Sequence, residues 1–380
     1  MNNQFTMNDR VLTLDRYPPQ QKNRSLLAWD AADELLYEEV VQRGLKPDTR
    51  LLLINDTFGA LTCLFAEQKT MVMTDSKVSQ LGIEHNFGQN FPEKTLPPLL
   101  SALDEVKAHF DYILIKLPKQ IRYLEYLLAM MSGWDLSKTQ VILSGKAKDI
   151  PVKLLKRMEL YFTDVSTSLA VKKSRLVFLE TAKKGIDHGT FQTYFEVPEY
   201  QMKLHHHANV FSNEKLDLGA RAFLPHIFPV GDALRVIDLG CGNGVLGVHL
   251  LKSCPQVAQV TFVDESHMAV ESARLNVQEN CITREEDANF VVDDCLSSLS
   301  SGQADLVLCN PPFHQQNAVT DHIAWQMFQD AKRVLRSRGE LRVVGNRHLG
   351  YHVKLKRIFG NVTTVASNHK FVILSATKRS

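Results

Sequence analysis

Arg235–Gly247 reads RVIDLGCGNGVLG. Its first residues form an apolar run of strand length that carries one carboxylate, Asp238. Then come Gly240, Gly242, Gly244 and Gly247, and an apolar pattern of helical spacing from about Val245. Glycine adopts backbone angles closed to other residues and lets a ligand approach the main chain. Strand, glycine turn and helix together open a βαβ unit. Twenty residues beyond Gly244, at the end of the next apolar run (Gln259–Val263), stands Asp264. An acid there can accept hydrogen bonds from both hydroxyls of a ribose. A glycine-rich turn alone is compatible with a plain structural loop. Paired with an acid at this interval, it points to a nucleoside-bearing ligand.

Gly242, Gly244 and Gly247 also fit the dinucleotide fingerprint, in which a helix N-terminus meets a pyrophosphate. Asp238 argues against that ligand, because it adds negative charge where the phosphates would lie. A carboxylate there suits the cationic amino-acid portion of S-adenosylmethionine. Cys241, Asn243 and Glu265 flank these positions and are cofactor-contact candidates with them. After a third apolar run, Phe290–Val292, Asp294 could accept from an adenine amine, with Cys295 beside it. The neighbouring Asp293 is equally placed in the sequence.

Outward from this turn the pattern continues as α/β. Asp305–Cys309 and Glu340–Val344 read as further buried strands, Ala324–Leu335 as a helix and Val372–Ala376 as a last strand. The first half shows the same alternation. Ser25–Arg43 is a helix by its apolar spacing. Arg50–Asn55, Met71–Thr74, Asp111–Leu117, Val141–Ser144 and Leu169–Leu179 are strands. Arg50–Leu61 aligns with Leu234–Leu246, Val72–Ser76 with Phe262–Ser266, and Asp111–Lys119 with Asp305–Phe313, in the same order. This predicts two doubly wound domains, residues 1–188 and 207–380. A polar linker, 189–206, joins them.

The whole chain has 380 residues, 44% hydrophobic and 23% charged, with a formal net charge of +2. That excludes disorder and a disulfide scaffold. No apolar run approaches a membrane span, no leader pattern opens the chain, and the six cysteines form no CxxC pair. A reduced, cytoplasmic setting without membrane or metal is the expectation. The charge is segregated. Residues 146–185 hold ten Lys/Arg against four acids, 231–330 hold four against fourteen, and 332–380 hold twelve against Glu340 alone. Two basic blocks around an acidic one suit an anionic polymer, RNA or DNA. Lys172, Lys173 and Arg175 in the first block, and Arg347, Lys354, Lys356 and Arg357 in the second, are the phosphate-contact candidates. His205-His206-His207 lacks acids at ligand spacing and reads as a polar or RNA-facing stretch.

After the fourth strand of the second half comes Asn310-Pro311-Pro312-Phe313. The prolines fix φ and remove two donors, leaving carbonyls free. An exocyclic amine on a planar base is a poor nucleophile because its lone pair is delocalised into the ring. Acceptors on Asn310 and the Pro311 carbonyl could hold its N–H groups and favour the pyramidal, reactive amine. Phe313 could stack on the base.

With the glycine turn, this tetrad resembles the S-adenosylmethionine-dependent amino-methyltransferases of the NPPY/NPPF type. Ala208–Ala220 (ANVFSNEKLDLGA) and Asn310–Gln316 (NPPFHQQ) narrow the likeness. The chain resembles the bacterial ribosomal RNA guanine-N2 methyltransferases with two tandem methyltransferase-like domains, above all the large-subunit (23S) methyltransferase G family. The small-subunit (16S) family comes second. The resemblance implies two Rossmann-like class I methyltransferase domains. The C-terminal one would bind the cofactor and catalyse, and the N-terminal one, degenerate, would help to hold RNA. It also implies that Phe211, Asp217 and Gly219 close over the methionine part of the cofactor. The first half agrees with degeneracy. Leu53 stands opposite Asp238, Asn55 and Thr57 opposite Gly240 and Gly242, and Lys116-Leu-Pro-Lys119 opposite the tetrad. The expected substrate is a guanine of 23S ribosomal RNA, naked or in an assembling subunit, and the expected enzyme is a monomer. The rivals are a 16S target, another exocyclic amine or a protein glutamine, a nicotinamide oxidoreductase, and a non-catalytic assembly factor.

Overall fold

The computed structural model describes residues 3–19, 26–210, 215–229, 231, 234–312 and 318–379, with 318–321 by backbone alone. Two units emerge, Met1–Phe191 and Gln192–Ser380. The first contains β1 (Gln4–Met7), β2 (Arg10–Thr13), α1 (Ala31–Gln42), β3 (Arg50–Ile54), α2 (Ala60–Leu64), β4 (Lys69–Met73), α3 (Lys77–Asn90), β5 (Leu99–Leu100), β6 (Tyr112–Lys116), α4 (Ile121–Ser132), β7 (Gln140–Lys146), α5 (Val152–Met158), β8 (Val165–Thr167) and β9 (Ser174–Leu179). The second contains β10 (Thr193–Val197), β11 (Met202–His206), α6 (Leu218–Phe223), β12 (Leu234–Leu239), α7 (Val245–Ser253), β13 (Val257–Asp264), α8 (His267–Asn280), β14 (Ala288–Val292), β15 (Ala304–Cys309), α9 (Ala318–Val334), β16 (Leu335–Asn346), α10 (Tyr351–Phe359), β17 (Thr363–Ser367) and β18 (Phe371–Thr377).

Among the described residues each unit has one seven-stranded sheet, ordered β5-β4-β3-β6-β7-β9-β8 and β14-β13-β12-β15-β16-β18-β17. The two orders are the same when each sheet's strands are counted in sequence. The first five strands of each order are parallel, and the sixth, β9 or β18, runs antiparallel to both of its neighbours. In the second unit alternate residues feed opposite cores. Val236, Leu306 and Leu308 pack with α7 and α8, while Ile237, Val307 and Cys309 pack with α9 and α10. Both faces of β12 and β15 are therefore buried, which is why these strands read as unbroken apolar runs. The order of β12 and its neighbours brings the ends of β12, β13, β14 and β15 to one edge, where doubly wound sheets hold ligands.

Three expectations are corrected. The helix read over Ser25–Arg43 starts at Ala31. Asp30 accepts from Ala32 N and Asp33 accepts from Asp30 N, a capping box that sets the helix start. Ser25 itself lies outside the described residues. Leu169–Leu179 is not one strand. Lys172 and Lys173 take left-handed φ of 48° and 65° and turn the chain into β9.

Residues 189–206 are not a linker either, because β10 and β11 form a hairpin docked on α8. The physical reason is a row of amides. Asn276 accepts from His205 N and donates to His205 O, Asn280 does the same with Lys203, and Ser272 Oγ accepts from His207 N. The first unit repeats the device. Asn86 and Asn90 of α3 bond both main-chain groups of Asp15 and Thr13, at and just past the end of β2. Asn86 also donates to Phe58 O, as Asn276 does to Asn243 O. The duplication thus extends to the hairpins and their asparagine pairs. Among the described residues no helix is long and apolar enough to cross a membrane.

Candidate active site at the carboxyl edge of the second sheet

The glycine turn caps β12. Gly240, Gly242 and Gly244 have φ of +68°, +54° and +79°, a region that side-chain-bearing residues rarely adopt. The turn is pinned to the next strand. Gly240 N and Cys241 N donate to Val263 O, and Gly242 N donates to Asp264 Oδ2 at 2.9 Å. The turn's glycines serve different ends. A Cβ on Gly244 would lie 2.8 Å from Ala273 Cβ, so this position is packed shut. A Cβ on Gly242 would meet nothing within 4 Å, so its side of the turn is open. Gly247, the last of the fingerprint glycines, faces the Phe262 ring and not a ligand.

Carboxylates crowd this edge. Asp238 is 1% exposed and accepts from Gly247 N at 2.9 Å. Burial pushes its carboxyl up to about 7, against that hydrogen bond and with help from Asp264. Asp264 accepts from Ser266 N and Gly242 N, and burial raises its pKa as well. Glu265 beside it is exposed. Asp293 and Asp294, inseparable by sequence, now differ. Asp293 accepts four hydrogen bonds from its own loop, from Asp294 N, Ser297 Oγ, Ser298 N and Ser298 Oγ. It holds the loop after β14. Asp294 is pushed upward by burial and pulled back by a hydrogen bond with Gln326. The Cys241 and Cys295 thiols are both raised by burial. Asn243 caps its own turn through Val245 N and faces His206, which stacks on Phe195.

Asn310 follows β15 directly. Its Nδ2 donates to Asp217 Oδ2 at 3.2 Å, while its Oδ1 is buried and meets no donor among the described residues. Pro311 is buried and Pro312 exposed. Phe313 and Phe211 lie outside the described residues. The resemblance implies a place for Asp217 over the cofactor; in the structure it bonds Asn310, 93 residues away. Its position just before Leu218-Gly219-Ala220, as the N-cap of α6, was the available signal. Asp217 Oδ2 accepts from Ala220 N at 2.9 Å.

The basic residues are dispersed. Lys172 pairs with Glu34, and the Arg175 Nε is buried. Lys173, Arg347 and Lys356 are exposed, and Lys354 lies over Tyr351. Arg357 lies 5.1 Å over the Trp325 ring. Both line an open cavity of about 490 Å³ with Gln329, Lys332, Arg333, Ile358 and Lys378. Lys332, Arg333 and Lys378 donate to main-chain carbonyls there, so their positions are set while their charge is kept. His205 bonds Glu279, and no cluster suited to a metal occurs among the described residues.

The matching edge of the first unit is filled. Asn55, opposite Gly240, keeps the left-handed φ of 65° and donates to Lys116 O. Lys116, opposite Asn310, donates to Asp33 Oδ2 at 2.7 Å. Burial holds the Asp33 carboxyl up, to about 6, against the pull of that ammonium. An internal ion pair stands where the second unit has an acceptor that meets no donor among the described residues.

Comparison with known proteins gives a consistent result. Residues 2–183 match the RLMG N-terminal domain family and residues 201–375 the methyltransferase small domain family. A Pseudoalteromonas translucida protein, Ribosomal RNA large subunit methyltransferase G, is 47% identical over 386 residues, covering 100% of this chain and 99% of that protein. The Vibrio vulnificus protein of the same name is 47% identical over 382 residues, covering 100% of both chains. A T. Thermophilus 16S rRNA N2 methyltransferase, RsmC, solved in complex with AdoMet and guanosine, shares the fold. Its TM-score is 0.75 at 20% identity, over 99% of this chain and 97% of that one.

Proposed function

The chain belongs to the ribosomal RNA large subunit methyltransferase G family, and from that premise we propose how its second unit methylates the N2 amine of a guanine in 23S ribosomal RNA. The observation that carries the proposal is the buried Oδ1 of Asn310 just after β15, which meets no donor among the described residues. An acceptor held without a donor in a closed site is costly unless a ligand supplies one. An exocyclic amine does. The Asn310 Oδ1 and the Pro311 carbonyl take its N–H groups, withdraw the lone pair from the ring and aim it. Catalysis is then positioning and preorganised electrostatics. Phe313 is assigned the face of the base. A duplex guanine cannot reach this corner, so the base is taken flipped or from a single strand.

S-adenosylmethionine is the cofactor and supplies a sulfonium-activated methyl group. The residues present fit it. The side of the turn at Gly242 is open, and burial raises three carboxyls there, those of Asp238, Asp264 and Asp294, above their ordinary range, so that a bound cation or further donor would favour their ionised forms. We assign Gly240, Cys241, Gly242, Asn243 and Gly244 to the wall of the site. Asp264, with Glu265 at the rim, takes the ribose hydroxyls. Asp294, with Cys295 beside it, takes the adenine amine, and Asp238 the positive amino-acid end. Asp293 has no such role, since its own loop occupies it.

Ribosomal RNA is the substrate. We assign its grip to the basic surfaces of both units. These are Lys172, Lys173 and Arg175 in the first, and Arg347, Lys354, Lys356 and the Arg357–Trp325 platform in the second. The reading is of a cytoplasmic monomer, since one chain carries both units. The deciding test is methyl transfer from labelled cofactor to deproteinised large- and small-subunit RNA in parallel, followed by nucleoside identification. N2-methylguanosine in large-subunit RNA is the expected product. The same nucleoside in small-subunit RNA alone, or label in adenosine or cytidine, would overturn the substrate assignment.

A further inference from the structure

We infer that Asp217 is a positioning residue that sets which way the Asn310 amide faces. The inference rests on the assignment of Asn310 as the amine acceptor. An asparagine amide has two nearly isosteric orientations, and only one offers oxygen to the substrate. Turned the other way, Asn310 would present N–H groups to an amine that itself donates. A carboxylate oxygen only accepts, so Asp217 Oδ2 admits the Nδ2 side of Asn310 and repels its oxygen. With Nδ2 bound at 3.2 Å, Oδ1 is left on the other side, buried and without a donor among the described residues. Two observations that look separate, a capping aspartate and an orphaned acceptor, are thus one arrangement.

The anchor is itself fixed. The oxygen that binds Asn310 also accepts from Ala220 N, as the N-cap of α6. Leu216, Ala220 and Phe223 hold that helix in the core shared with Val236 and Leu308. The carboxylate therefore cannot follow the amide if it turns.

The test uses the full-length protein, with kcat and KM for deproteinised large-subunit RNA and cofactor affinity by calorimetry. Asp217→Ser keeps a hydroxyl that can cap α6 but is too short to reach Asn310. We expect kcat to fall on the order of tenfold to a hundredfold, with cofactor affinity and KM little changed. Asp217→Asn can offer either side of its amide to Asn310, so it no longer enforces the orientation, and kcat falls by less than in Asp217→Ser. Asn310→Asp sets two carboxylates against each other and inactivates. Adding Asp217→Asn to it reverses the polarity of the pair, with the amide at 217 donating to the carboxylate at 310. At least about tenfold of the lost rate returns.

Full kcat in Asp217→Ser would overturn the inference. So would a loss in cofactor affinity in place of kcat, which would return Asp217 to a cofactor contact. Should the serine variant fail to fold, the double variant decides, and no gain over Asn310→Asp alone refutes the pairing. Undiminished turnover in Asn310→Ala would overturn the acceptor assignment itself. A dead Asn310→Ala beside a fully active Asp217→Ser would sink only the present inference.

Discussion

The proposed contact between Asp238 and the positive end of the cofactor predicts an affinity that depends on pH in a window where few carboxylates titrate. Its carboxyl is 1% exposed and is pushed up by burial to about 7. A cation bound beside it favours the ionised form, so affinity follows the ionised fraction. That fraction rises from about one in eleven at pH 6 to one in two at pH 7, which predicts a gain in affinity of about fivefold. The window stops at pH 7 so that the cofactor's own amino group stays protonated.

The effect on the unliganded fold has the opposite sign. A carboxyl whose folded pKa lies above its unfolded value keeps its proton longer in the native state. Its contribution to stability is therefore lost as pH rises from about 4 to about 7. The melting temperature without cofactor should fall across that range, and the rise on adding cofactor should grow. Calorimetric titration at pH 6 and pH 7, at constant ionic strength, reads the affinity directly. Asp238→Asn should bind weakly and equally at both. Equal affinity of the parent at the two pH values, or tighter binding at pH 6, would refute the assignment of Asp238 to the positive end of the cofactor.

The glycines separate packing from ligand space. Gly244→Ala combines a φ of +79° with a 2.8 Å contact to Ala273 and should cost on the order of 1–3 kcal/mol in a melt. Gly242→Ala meets no neighbour, so it should lose cofactor affinity with a smaller change in melting temperature. Asp293→Ala removes four loop hydrogen bonds and should lower the melting temperature, whereas Asp294→Ala should weaken cofactor binding more than stability; the reverse pattern would exchange their roles. Arg357→Ala should weaken RNA binding and reduce the salt slope by about one, with cofactor affinity unchanged by calorimetry. Lys116→Met strands the buried Asp33 without its cation and should destabilise the first unit by about 3–5 kcal/mol. Cofactor affinity of the folded fraction should not change.

What the sequence revealed followed burial. The runs at β12 and β15 are apolar on both faces because α7 and α8 cover one side and α9 and α10 the other. Unbroken apolar stretches of that length were readable without a structure. The glycine turn was readable for a related reason: left-handed angles in close succession leave a residue signature that side chains cannot imitate. The β10–β11 hairpin carries no such mark. Only alternate residues are buried, and its docking runs through the main chain to Asn276 and Asn280. A strand held by another element's amides reads as a polar linker, and the helix carrying those amides reads as merely hydrophilic.

The same limit applies at the active site. Asp293 and Asp294 are one residue apart, and only the partners of each carboxylate tell the loop staple from the proposed ligand contact. Asp217 and Asn310 are 93 residues apart, and nothing in either segment announces the other. The division of labour between the units is physical in the same way. Lys116 and Asp33 neutralise each other at the point where Asn310 Oδ1 meets no donor among the described residues. On the proposed assignment, a site is silenced when its own side chains satisfy its polar groups, and it stays active where one is left for the substrate.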